Sequence, residues 1–138
     1  PSEVGNGDWK MVVGERAKAQ QFEDLEAWQA AITLAVSVYK VTQTYPKSEI
    51  YAMTSQMRRA AYSVSANIAE GFGRFNPKEK IQFYRIASGS LTELKSFCYL
   101  SEQLEYLSAE QLSSILPVIE STHKLTNALI RSIKESSL

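Results

Sequence analysis

From Phe22 onward one rhythm dominates the chain: apolar residues return every three or four positions, the spacing of a helix face rather than of a strand. Leu25, Trp28, Ile32, Ala35, Tyr39 and Thr42 form one stripe, with Ala31, Leu34, Val38, Val41 and Tyr45 beside it. This predicts a long helix from Phe22 with a wide buried face, ended by Pro46, which disfavours helical geometry in the residue before it and lacks the donor for continuation. A second helix, capped by Ser48 or Thr54, should bury Met53, Met57, Ala60, Ala61, Val64 and Ile68 and end at Gly71 and Gly73, where left-handed backbone is cheap. Asn76-Pro77-Lys78-Glu79 then combines an N-cap amide, a proline at the first helical position and a Glu placed to reach back. The third helix that follows carries the stripe Tyr84, Ala87, Leu91, Leu94 and Cys98. Gly89, inside Ser88-Gly89-Ser90, costs about 1 kcal/mol relative to Ala in a helix interior, which close approach of another helix would offset.

A capping box (Ser108, Gln111) and a hydrophobic staple (Leu107 onto Leu112) open a fourth helix. Its stripe includes Ile115, Ile119, Thr126, Leu129 and Ile133, and Pro117 is expected to kink it. No strand-period segment of useful length occurs. Four helices joined by short turns predict an all-α fold, an antiparallel up-down-up-down four-helix bundle over residues 22–138. Residues 1–21 hold Gly5, Gly7 and Gly14 and no sustained period, so they read as an N-terminal arm, functional or a remnant of processing or tagging, although Trp9 and Met11-Val12-Val13 could dock.

The second helix departs from simple amphipathicity. Stepping back from Arg74 by three and four gives Glu70, Asn67, Ser63, Arg59 and Gln56, so six hydrogen-bonding side chains share one face. A solvated face would be filled with long Lys and Glu. Amides, a hydroxyl and arginines suit instead a shared network at a structural or subunit interface.

Charge narrows the partners. Lys plus Arg and Asp plus Glu are both 15, so the chain as a whole has no excess for tracking nucleic acid or an anionic membrane. Residues 47–95, with eight bases and four acids, are nevertheless +4, each flank being −2. Arg58, Lys78 and Arg85 are therefore the candidate contacts to nucleic acid or an acidic partner. A single cysteine and no apolar run near 20 residues fit a reducing, cytoplasmic setting without membrane insertion.

Catalytic chemistry finds little footing. Glu120 and His123 have the Glu-x-x-His spacing of carboxylate-bridged metal bundles, but one histidine in the whole chain cannot complete such a site, and His123 reads better as a hydrogen-bonded core residue. Ser63 and Ser65 have no histidine nearby in sequence, and Cys98 lies on a core face. Gly71-Phe72-Gly73 lacks the strand and the Gly-Lys-Ser/Thr of a phosphate loop. No catalytic residue, metal or cofactor is expected.

Four blocks together resemble a known family. Phe22-x-x-Leu25-x-x-Trp28-Gln29-x-Ala31, Thr54-Ser55-Gln56-x-Arg58-Arg59-Ala60, Asn67-Ile68-Ala69-Glu70-Gly71-Phe72-Gly73-Arg74 and Ala87-x-Gly89-Ser90-Leu91-x-Glu93-Leu94 look like the bacterial four-helix-bundle proteins encoded in intervening sequences of 23S ribosomal RNA genes. The resemblance implies a cytoplasmic homopentamer with Gln56, Arg59, Asn67, Glu70 and Arg74 near packing surfaces. A more distant likeness, to the accessory protein of diversity-generating retroelements, implies a ring that binds a reverse transcriptase and nucleic acid, though that protein is strongly basic and this chain is neutral. The expected function is a non-enzymatic oligomeric scaffold for RNA or a nucleic-acid-handling protein. The competing expectation is a self-assembling or protein-binding module without nucleic-acid affinity.

Overall fold

Ala27, Ala31, Leu34, Val38 and Thr42 step by three and four residues and are all buried, and hiding that stripe selects helix α1, Glu26–Thr42. In this computed structural model residues 18–136 are described; most of the proposed arm lies outside them. The helix starts later than its apolar pattern. Phe22–Asp24 form a separate 3-10 turn, held by the Asp24 carboxylate accepting from the backbone N–H groups of Gln20 and Gln21 at 3.0 and 3.2 Å. Helix α1 also ends before Pro46, because Tyr45 turns into the core at 6% exposure and a second 3-10 turn, Lys47–Glu49, follows the proline.

Helix α2, Met53–Phe72, buries Met57, Ala60, Ala61, Val64 and Ile68 completely. Neither Ser48 nor Thr54 caps it: the Glu49 carboxylate accepts from the N–H of Met53 at 3.1 Å, and Thr54 is itself buried. The other Glu49 oxygen accepts from the Tyr106 hydroxyl at 2.9 Å, tying the two turns at this end of the bundle together.

At the far end of α2 the glycines serve a different purpose from the expected left-handed cap. Gly71 lies inside the helix and Gly73 has φ −76°. A Cβ on Gly71 would stand 2.7 Å from the ring of Tyr84, so the residue is small to let α3 come close. The carbonyls of Gly71 and Phe72 accept from Lys80 Nζ at 3.3 and 2.8 Å, and burial lowers the pKa of that ammonium.

Helix α3, Pro77–Gln103, begins as its sequence predicts, with the Asn76 side chain accepting from the N–H groups of Lys78 and Glu79. Gly89 does not form the expected notch within the chain: it is exposed and a Cβ there would meet nothing within 4 Å. The turn after α3 passes through Glu105 at φ 66°, where the N–H groups of Tyr106 and Leu107 return to the Ser101 carbonyl. Helix α4, Ala109–Ser136, opens on the predicted capping box and continues unbroken past Pro117.

Each helix packs on the two that flank it, α1 and α3 both lying against α2 and α4. With short turns between them, the elements run up, down, up, down around a core filled by Leu34, Met57, Ile68, Tyr84, Leu91 and Ile119. Among the described residues no helix is long and apolar enough to cross a membrane.

Candidate assembly face

Gln56, Arg59, Ser63, Asn67 and Glu70 of α2, with Arg74 just past its end, lie along the seam with α3 in three separate groups. Arg59 donates to Gln56 Oε1 through Nε and Nη2, at 3.2 and 3.0 Å, and reaches across the seam to Glu93 at 2.6 Å. One turn on, Asn67 Nδ2 donates to the carbonyl and hydroxyl oxygens of Ser63, and Ser90 of α3 donates to the same Ser63 hydroxyl at 2.9 Å. At the end of the helix Arg74 pairs with Glu70 at 2.7 Å, approaches Glu79 at 3.6 Å and stacks over the Phe83 ring.

Sequence periodicity found the α2 half of this network and missed Ser90 and Glu93. Their spacing places them on the matching edge of α3, but pairing across helices depends on which faces the fold brings together. The network is not sealed: the Arg59 and Glu93 side chains are 53% and 37% exposed. An ion pair that wet adds little to stability.

Around the polar seam stand large apolar side chains that the other described residues leave half-exposed. Tyr62 of α2 and Ile86, Leu100 and Leu104 of α3 are 45–48% exposed. On α3 the positions Ile86, Gly89, Glu93, Leu100 and Leu104 recur at helical spacing, so the exposed glycine belongs to the same outward face.

The three candidate contact bases do not form one patch. Arg58 donates to Thr42 Oγ1 at 2.8 Å and to the Tyr39 carbonyl at 3.3 Å, and lies over the Tyr39 ring. It clamps α1 to α2. Lys78 and Arg85 are exposed on α3, seven residues apart, toward the opposite end of α2, where Phe83 and Tyr84 pack beside Gly71. With a rise of about 1.5 Å per residue, the register that sets Gly71 beside Phe83 and Tyr84 puts Arg85 about 15 Å from Arg58 along the bundle, and Lys78 farther still.

Glu120 and His123 turn to different partners. Glu120 pairs with Lys95 at 2.5 Å, a hydrogen bond that lowers the carboxyl pKa and raises that of the ammonium. His123 Nε2 lies 2.6 Å from the Ser88 hydroxyl, a contact across the α3–α4 seam that sequence spacing did not anticipate. Ser88 sits within a helix, where the local backbone N–H groups are engaged in the helical ladder and supply no oxyanion hole. Among the described residues no three His, Cys, Asp or Glu side chains are grouped to hold a metal. Cys98 is fully buried, and burial pushes its thiol up to about 12, the opposite of what a nucleophile needs.

A four-helix bundle whose polar seam is formed by the Asn-Ile-Ala-Glu-Gly-Phe-Gly-Arg helix and its α3 neighbour defines the class of protein. The chain belongs to the 23S rRNA-intervening sequence protein family, which it matches over residues 23–128. It is also similar to a protein of unknown function from the S23 ribosomal protein family of Bacteroides thetaiotaomicron, whose crystal structure shares the fold with a TM-score of 0.68 at 24% identity. That likeness covers 75% of this chain and 97% of the other. No curated protein gives a significant match.

Proposed function

We propose that this protein is a non-enzymatic scaffold that works as an assembly of its own copies, joined through the outer face of α2 and α3. The observation that carries the reading is the apolar set Tyr62, Ile86, Leu100 and Leu104, left half-exposed around a polar seam. Buried against a second copy, these side chains supply the attraction, while the seam's directional hydrogen bonds set register. Gly89 fits the same account. A solvent-facing glycine inside a helix costs about 1 kcal/mol relative to Ala, and this one has no packing reason among the described residues. A helix of another copy lying close against α3 supplies the reason. A closed ring needs a second, different patch on each subunit, and Ile32, Val36 and Tyr39 of α1 offer one.

The test is the mass in solution by light scattering across a dilution series. The 15.5 kDa chain should run as a multiple of that mass. Gly89→Leu should shift it toward the monomer without loss of helicity, since the added side chain meets nothing inside the subunit. A wild-type monomer at every concentration rules the reading out.

A role in binding RNA has narrower support: the family's 23S rRNA connection and the exposed, like-charged Lys78 and Arg85 on one side of α3. With Arg58 spent inside the chain, two bases per subunit act usefully only if an assembly repeats them. Anisotropy of a labelled ribosomal RNA fragment should then show binding that weakens with salt and drops when both bases become Glu. Binding unchanged by that double substitution removes these residues from the RNA reading.

A further inference from the structure

Where α2 hands over to α3, at the end of the bundle that also holds the start of α1, lies an open cleft of about 700 Å³. Phe22 and Phe75 form its apolar walls, and Ala66 and Ala69 of α2 with Gly73 just past its end form its floor, with Glu70, Arg74 and Glu79 at the rim. Phe75 is 99% exposed, more than any other large apolar side chain among the described residues. It stands between Arg74, which is paired to Glu70, and Asn76, which caps α3, so local contacts on both sides fix its place. The floor residues are small and spaced by three and four along α2, which lets another segment lie close to that helix.

We propose that this cleft is the docking site of the chain's own N-terminal segment, Trp9-Lys10-Met11-Val12-Val13. Three observations name this occupant. The first is where the chain leads. The described residues begin at Lys18, four positions before Phe22, itself a wall of the cleft. The nine residues from Val13 to Phe22 span up to about 30 Å when extended, ample for a return, and Gly14 tolerates the turn that a return requires.

The second is pattern: on an extended backbone Trp9, Met11 and Val13 share one edge, an apolar edge for an apolar cleft, while Lys10 and Val12 take the other edge, the one nearer the rim. The third is charge. Among the side chains that line the cleft, Glu70 and Glu79 share the single guanidinium of Arg74, at 2.7 and 3.6 Å, one carboxylate in excess, and Lys10 has the complementary sign. Docking covers Phe75.

Trp9 itself is the probe. Trp28→Phe leaves it the sole tryptophan, and the difference in emission between the native chain and Trp9→Ala isolates the same signal without touching Trp28. Docked Trp9 should emit at shorter wavelength than in a free peptide of residues 1–17 and be shielded from acrylamide. Ala66→Glu and Phe75→Ser, both at exposed positions, should each return its emission and quenching to the peptide's values while leaving far-UV circular dichroism unchanged. Peptide-like Trp9 in the parent protein, or shielding that survives both substitutions, overturns the proposal. Shielding lost on dilution also overturns it, because the occupant would then be the segment of a neighbouring copy or another part of a second subunit.

Discussion

Replacing Gly71 by alanine tests whether this glycine is present for its backbone or for its size. A left-handed cap would make Gly71 and Gly73 equally intolerant of a side chain. In the structure neither is left-handed, and only Gly71 is crowded. A Cβ there would stand 2.7 and 2.9 Å from Tyr84 ring atoms and 3.1 Å from Phe83 Cβ, whereas at Gly73 the nearest atoms are backbone oxygens at 3.7 and 3.8 Å. Tyr84 is 1% exposed, so its ring has nowhere to swing, and Phe83 Cβ moves only with the α3 backbone. Overpacking of this kind costs about 1–3 kcal/mol, against a return of up to about 1 kcal/mol for putting Ala in place of a helical Gly. Gly71→Ala should therefore lose about 1–2 kcal/mol, a fall in Tm of about 3–6 °C for a domain of this size. Gly73→Ala should gain about 0.5 kcal/mol from reduced freedom of the unfolded chain. The assay is urea and thermal unfolding followed by circular dichroism, at one fixed protein concentration so that any assembly contributes equally. Gly71→Ala as stable as the parent, or Gly73→Ala as damaging as Gly71→Ala, refutes the close-packing account.

The alkaline limb of stability draws on buried acids, of which Cys98 and Tyr84 are the most strongly shifted. Burial pushes the Cys98 thiol from 9.0 to about 12 and the Tyr84 hydroxyl from 10.0 to about 12. Both stay neutral in the folded chain at pH values where the unfolded chain ionises them, so their contribution is fully present below about pH 9 and is lost as pH rises toward 12. The urea midpoint should be level around pH 8 and fall between about pH 9 and 11, and Cys98→Ala should move the onset to about pH 10, where Tyr84 takes over. A midpoint as high at pH 11 as at pH 8 contradicts the burial argument. The polar seam makes a contrasting case: because the Arg59–Glu93 pair is half-exposed, Arg59→Ala should cost the fold less than about 1 kcal/mol yet weaken self-association, two readouts separable by chemical unfolding and light scattering.

Helix number, order and buried faces were legible in the sequence because each rests on local physics. A three-four spacing of apolar residues settles which side of a helix meets the core, and a signal such as Asn76-Pro77 or Ser108 with Gln111 needs only its own neighbours. The six polar residues of α2 were likewise placed on one edge by periodicity alone. What the sequence could not supply is any quantity that depends on two elements meeting. Glu49 rather than Ser48 caps α2, since the turn geometry brings its carboxylate to Met53 and Tyr106 at once. Gly71 is small because of Tyr84, 13 positions away, and Gly89, apparently similar in sequence, faces outward. Arg58 and Lys78 read as companions on charge, but α2 carries them to opposite ends of the bundle and gives Arg58 to Tyr39 and Thr42. Ser90 and Glu93 joined the α2 network, and Ser88 met His123, only when packing chose which edges of α3 face which helix. Periodicity determines a helix's own faces; the neighbour that each face meets is a property of the packed chain.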